Sequence, residues 1–331
     1  MNRRDFLQQT TLLAGATALG LSKPCAADPP PETSRIRLTK AGLCTAPLYM
    51  AEDLLHAEGF SDVQYFDDDP REIGTSKLVA TGAADLNLSF GLTTLLRVEA
   101  GEPVVILGAV HSGCYELFAN EHIRTIRDLR GCRVAIPGLG STHHLFLSVM
   151  TSYVGLDPQR DISWVTLSRN ECKHELAAGK VDAFLGFPPD PQELRANGIG
   201  HVVLNSSTDQ PWSQYFCCMV IGNKDFVRRH PVATKRALRA LLMATDLCAT
   251  QPARSARYLV DKGYVQKYEH ALETMNDVPY RKWRDFNIED SVRFFALRLR
   301  DVGMVRSNPE KLIALGTDWR FLNELKRELK A

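Results

Sequence analysis

The feature that most constrains this fold is an alternation of strand-like and helix-like segments that runs to Leu204 and then stops, leaving only helical patterns after Asn223. Arg35-Ile-Arg-Leu-Thr39 alternates as a strand and feeds the loop Lys40 to Ala46. Pro47 stands where a helix begins, and Leu48, Ala51, Leu54 and Leu55 recur at helical spacing until Gly59 stops it. Val63 to Phe66 reads as a strand, Arg71 to Ala80 as a helix ended by Gly82, and Asp85 to Phe90 as a strand. Leu92 to Ala100 is a helix ended by Gly101, before the buried-looking strand Val104 to Val110. Strands and helices in turn predict an α/β fold with doubly wound, parallel sheets.

A second unit of the same kind opens at Ile126, where a short helix ends at Gly131 and the strand Arg133-Val-Ala-Ile136 begins at once. A helix from Thr142, a strand Ile162 to Thr166, a helix Glu171 to Ala178 and strands Val181 to Leu185 and His201 to Leu204 follow. The helices Pro231 to Thr250, Pro252 to Lys262 and Asp290 to Val302 have no strands between them, so they must pack on a sheet built earlier. The expected organisation is one lobe from 35–120 and 222–331, with a second lobe, 121–221, inserted into it. Extended segments near Tyr115 to Asn120 and Tyr215 to Asn223 would cross between the lobes as hinge strands. In such sheets ligands lie beyond the carboxyl ends of the strands.

The first residues read as an export signal rather than as part of the globule. Arg3-Arg4 precedes a mildly apolar stretch from Thr10 to Leu21 and the small residues Cys25-Ala-Ala27, so 1–27 resembles a twin-arginine-type signal and 28–34 a Pro-rich linker. This predicts a periplasmic location. A net charge of +1 gives no footprint for nucleic acid, and the ligand is expected to be a small molecule. Eight cysteines, one of them in the signal segment, leave an odd seven, and Cys132, Cys172 and Cys248 read as core packing. The sequence contains no C-x-x-C or C-x-x-H pair, so neither a metal nor a cofactor is expected.

Several short motifs together carry a family resemblance. They are Ala46-Pro-Leu-Tyr-Met-Ala-Glu52, Thr81-Gly-Ala-Ala-Asp85, Ile126-Arg-Asp-Leu-Arg-Gly131, Gly140-Ser-Thr142, Gly179-Lys-Val-Asp-Ala183 and His230-Pro-Val-Ala-Thr-Lys-Arg236. In this order the chain resembles the type II periplasmic solute-binding proteins of the sulfonate-binding and thiamine-pyrimidine-precursor group (SsuA/THI5-like, or NMT1). The resemblance implies a hinged, monomeric binder, not an enzyme, that hands a sulfonate, nitrate-like or pyrimidine-type ligand to an ABC permease and ATPase complex. It leaves two other readings open. One is a THI5-like pyrimidine-precursor synthase using pyridoxal phosphate, whose cysteine-rich stretch is similar to Tyr215-Phe-Cys-Cys-Met219. The other is a sensory receptor that presents its ligand to a membrane kinase.

Candidate ligand-binding residues fall in loops at strand ends. Pro137-Gly-Leu-Gly-Ser-Thr-His-His144 fits neither a dinucleotide nor a Walker phosphate loop, and adjacent His143 and His144 point about 100° apart on a helix, too far to share an ion. What remains is a helix N-terminus at Gly140, Ser141 and Thr142, suited to an anionic ligand group, with His143 beside it. Cys44 and Thr45 form the matching loop of the first lobe; Phe90, Gly91, His111 and Ser112 end two further strands. Arg169 either pairs with an anion or faces solvent, and Phe187 offers a ring to a planar ligand. Trp212 either lids the cleft or packs at the hinge.

Overall fold

The computed structural model describes residues 29–40, 42–67 and 75–329; the export-signal segment and the expected helix start at Arg71 lie outside the described residues. The first unit runs β1 (Arg35–Thr39), α1 (Ala46–Met50), α2 (Glu52–Ala57), β2 (Asp62–Phe66), α3 (Ser76–Ala80), β3 (Leu86–Phe90), α4 (Gly91–Glu99) and β4 (Val104–Ser112). The second runs β5 (Glu116–Ala119), β6 (Arg133–Ile136), α5 (Thr142–Tyr153), β7 (Ser163–Thr166), α6 (Arg169–Ala177), β8 (Ala183–Gly186), α7 (Asp190–Ala196) and β9 (His201–Asn205). β10 (Phe216–Asn223) follows. After it come α8 (Lys224–Arg229), α9 (Pro231–Thr250), α10 (Pro252–Asp261), α11 (Tyr268–Asp277), α12 (Ile288–Asp301), α13 (Pro309–Gly316) and α14 (Arg320–Glu328). None of these helices is long and apolar enough to cross a membrane.

β1 pairs with β2 in parallel, and β6 lies in parallel between β7 and β8, as the alternation of strand and helix predicts. Two strands depart from that pattern. β10 runs antiparallel between β3 and β4, and β5 runs antiparallel between β8 and β9. The cause is chain direction. β4 ends at the edge where its sheet's strands finish, and β5 starts opposite the end of β8, with Glu116 paired to Gly186. A chain that crosses at that edge must run back down the second sheet.

β1 and β6 are closed by the same polar clamp. The Asp85 carboxylate accepts from the Arg37 amide at 2.8 Å and its guanidinium at 2.6 Å, while the Asp85 amide donates to the Arg37 carbonyl at 2.8 Å. Asp182 and Arg133 repeat this arrangement at 2.8, 3.0 and 2.7 Å. The carboxylate fills a backbone bond that no neighbouring strand supplies, and that explains an aspartate in the Gly-x-x-Asp turn before each following strand. Replacing Asp85 with alanine should cost about 2–3 kcal/mol, because hydrogen bonds to charged groups are the stronger kind and its side chain is almost fully buried. A urea midpoint equal to that of the parent chain would contradict this.

The late helices return to the first sheet. α9 presents a small-residue face, Ala233, Ala237, Ala240 and Ala244 beside Leu238 and Leu241, all fully buried. Leu238 comes so close to Gly108 in β4 that a Cβ there would stand 3.1 Å from its Cδ1. After α13, Thr317 bridges Ile106 in parallel, and the Asp318 amide donates to the Ile106 carbonyl at 2.9 Å.

Candidate functional site

β1, β3 and β4 finish at one edge with Thr39, Phe90 and Ser112; β6, β7 and β8 finish at another with Ile136, Thr166 and Gly186. Loops from the two edges touch. The Leu43 amide donates to the Pro188 carbonyl at 3.2 Å, and Gly42 lies against Phe187 so closely that a Cβ would sit 2.3 Å from the ring. Thr45 folds the first loop on itself, its hydroxyl donating to the Gly42 carbonyl at 2.7 Å.

Across from it, Gly140 takes a left-handed φ of +82° and lets the chain turn into α5. The Ser141 hydroxyl caps that helix by accepting from the His144 amide at 3.3 Å, and Thr142 is its first residue. The Gly140 amide donates to His144 Nδ1 at 3.1 Å, which ties His144 back toward Trp164, 4.9 Å away edge-on. His143 instead points inward. It is fully buried, with its ring 5.1 Å from Phe187 and 6.0 Å from Tyr115. Burial, with the Arg169 charge adding to it, pushes the His143 pKa down to about 3, so the imidazole is neutral.

Tyr115 is the centre of the aromatic lining, with Phe90, Phe146 and Phe187 all between 5.3 and 5.4 Å from its ring. The sequence reading missed it. Its signal was position, as the first residue of the segment expected to cross. Arg169 lies over the Phe187 ring at 4.3 Å and bonds the buried Asp190 carboxylate at 2.6 Å, so much of its charge is already neutralised. Trp212 is buried edge-on against Phe146 and Tyr153, both at 5.4 Å, which is packing geometry. Gly91 is small because a Cβ would stand 3.0 Å from Met219 Cε. A separate open groove of about 700 Å³, lined by Tyr215, Asp290, Arg293 and Phe294 among others, includes none of the candidate residues.

Cys44, His111 and Ser112 meet at the first edge and are buried. A hydrogen bond with Cys114, helped by His111 and opposed by burial, lowers the Cys44 pKa to about 5. Cys44, His111 and Cys114 are gathered with their ligand atoms within 4.8 Å of one another, a cluster that no C-x-x-C or C-x-x-H spacing marks. Its local trace is His111-Ser-Gly-Cys114, read in the reverse order. Thr39 Oγ1, Ser112 Oγ and His111 Nε2 are buried without a hydrogen-bond partner. Cys172 and Cys248 are buried as expected, whereas Cys132 is only half-buried because it follows the surface turn at Gly131.

Comparison with known proteins gives a consistent fold and a divided chemistry. The family model described as NMT1/THI5 like matches residues 46–255. The 4-amino-5-hydroxymethyl-2-methylpyrimidine phosphate synthase of Candida albicans is 24% identical over 237 residues, 64% of this chain and 68% of that one. The alkanesulfonate-binding protein SsuA from Xanthomonas axonopodis pv. citri bound to MOPS superposes with a TM-score of 0.73 at 17% identity, over 87% of this chain and 99% of that one. The periplasmic nitrate-binding protein NrtA from Synechocystis PCC 6803 does so with a TM-score of 0.75 at 15% identity, over 91% and 90%. The architecture is that of the periplasmic binding proteins, with additional C-terminal helices.

Proposed function

Because the chain belongs to the NMT1/THI5-like family, we propose that it is the periplasmic ligand-capture component of an ABC importer, taking a small anionic molecule between two lobes. One lobe is built on β1 to β4 with β10 and the late helices, the other on β5 to β9. The observation that carries this reading is the pair of facing strand-end edges. One offers buried, unpartnered hydroxyls at Thr39 and Ser112; the other offers the capped start of a twelve-residue helix at Ser141 and Thr142. Buried polar groups without partners are costly, and a ligand that satisfies them gains specificity. The positive end of α5 favours an anion, and the ring lining around Tyr115 favours a planar or aliphatic remainder.

Titration calorimetry with an alkanesulfonate, nitrate and an aminopyrimidine is the direct test. One of them should bind with a micromolar or tighter Kd, and Ser141→Ala with Thr142→Ala should weaken it about tenfold or more, about 1.4 kcal/mol. Binding unchanged in that double variant would remove the ligand from α5. Gly42→Val should weaken the same ligand through a different cause, since its side chain occupies the space of the Phe187 ring and holds the loops apart. Small-angle scattering should then show that ligand no longer compacts the variant.

The likeness to the Candida enzyme supports a second reading, a pyrimidine-phosphate synthase using pyridoxal phosphate. Against it, the lysines near the two edges are held in ion pairs: Lys40, after β1, with Asp67 at 2.9 Å, and Lys173, on α6 beside Arg169, with the buried Asp190 carboxylate at 3.0 Å. An absorbance band of lysine-bound pyridoxal in the purified protein would favour the enzyme.

A further inference from the structure

Four cysteines and a histidine from separate parts of the chain converge where the two units join. Cys44 comes from the turn after β1, His111 from the end of β4, Cys114 from the first crossing, and Cys217 and Cys218 from β10. Sγ of Cys44, Sγ of Cys114 and a ring nitrogen of His111 lie within 4.8 Å of one another. Cys217 Sγ adds a fourth group, 3.6 Å from Cys114 Sγ and 3.5 Å from His111 Nδ1. None of these thiols is in a disulfide.

Core packing does not account for the imidazole. His111 is fully buried; Nδ1 stands 3.2 Å from the Gly113 carbonyl oxygen, and Nε2 has no hydrogen-bond partner. With Nδ1 as the donor atom, its 3.5 Å from Cys217 Sγ matches the roughly 3.5 Å expected between a nitrogen and a sulfur bound to one tetrahedral zinc ion. A tetrahedral zinc ion with Zn–S bonds of about 2.3 Å places neighbouring sulfurs about 3.8 Å apart, close to the Cys114–Cys217 separation.

We propose that Cys44, Cys114, Cys217 and His111 form a binding site for one thiophilic d10 metal ion, Zn²⁺. On binding, the protons that the three thiols and the imidazole hold among them pass to solvent, leaving three thiolates and a neutral ring as donors, so no oxidant or reductant is required. The ion joins the first ligand loop to both crossing segments, and through them the two units. It does not depend on the identity of the captured ligand.

Cobalt is the probe. Full-length protein, reduced and stripped with a chelator, should take up one Co²⁺ per chain and show a sulfur-to-cobalt charge-transfer band with intense tetrahedral d–d bands, which Zn²⁺ then bleaches. Cys114→Ser and Cys217→Ser should each weaken the charge-transfer band, since each removes one of three Co–S bonds, and Cys132→Ser should leave it at full intensity. Circular dichroism on each variant separates loss of the site from loss of the fold, and the spectrum of the parent chain tests the site without any substitution. A parent chain that shows no charge-transfer band overturns the proposal. So does a band of undiminished intensity in both variants, or protein isolated with Cys114 and Cys217 joined as a disulfide.

Discussion

Replacing Arg195 with methionine is expected to lower folding stability by about 3–5 kcal/mol, the range for breaking a buried ion pair from one side. The Arg195 guanidinium donates to both Glu116 carboxylate oxygens at 2.5 and 2.6 Å, to Glu273 at 2.7 Å and to Asp277 at 2.8 Å. The partners differ in exposure. The Glu116 side chain is 6% exposed, whereas Glu273 and Asp277 are near 40%, so the charge stranded by the substitution is Glu116. Neutralising Glu273 or Asp277 should therefore cost well under 1 kcal/mol.

The pH dependence has a definite sign. Burial raises the Glu116 pKa above its usual value, and Arg195 opposes that rise. A carboxyl with a raised folded pKa makes the folded chain hold more protons than the unfolded one, so stability falls as pH rises through that window and recovers as pH drops. Without Arg195 the folded pKa moves higher still. The deficit of Arg195→Met, read from urea unfolding, should shrink between about pH 7 and about pH 5. A deficit that stays constant with pH would place the loss elsewhere than Glu116.

Gly113→Ala is expected to destabilise the chain by about 2–5 kcal/mol, combining the left-handed backbone penalty with overpacking. Gly113 has φ +52°, and a Cβ there would stand 2.2 Å from the Ser206 carbonyl oxygen and 2.4 Å from its carbon. Both obstacles are backbone, which no rotamer change relieves. The site is also where the first crossing is fastened to the turn after β9: the amides of Cys114 and Tyr115 donate to the Ser206 hydroxyl at 3.1 and 2.9 Å. Gly131 is the control. Its φ is +78° with nothing within 4 Å of a Cβ, so alanine there should carry the dihedral penalty alone, about 1–2 kcal/mol. If both substitutions gave equal urea midpoints, the collision at Ser206 would not be real.

The contrast between these two glycines shows what was legible beforehand. Gly131 reads as a helix stop from its neighbours alone, and the structure agrees, because a turn of that kind is decided within a few residues. Gly113 carries no such local mark; its obstacle is a carbonyl ninety-three positions further on. The same division holds at the site. The capped start of α5, with Gly140 in the left-handed region and Ser141 bonding the His144 amide, was readable from Gly140-Ser-Thr142. Which histidine turns inward was not, because Phe187 and Tyr115 decide it for His143, and the Gly140 amide decides it for His144.

By itself, the sequence determined what depends on short range: the alternation of strand and helix, the helices-only stretch after β10, the loops at strand ends, and the backbone character of the Gly140 turn. Tertiary structure alone decided what depends on residues brought from far apart. It ran β5 and β10 against their neighbours, set Arg169 on Asp190, put Tyr115 at the centre of the ring lining, and gathered Cys44, His111, Cys114 and Cys217. Hydrophobic period and capping act within a turn or a strand, whereas the partner of a buried charge, ring or thiol is set by which surfaces the folded chain brings together.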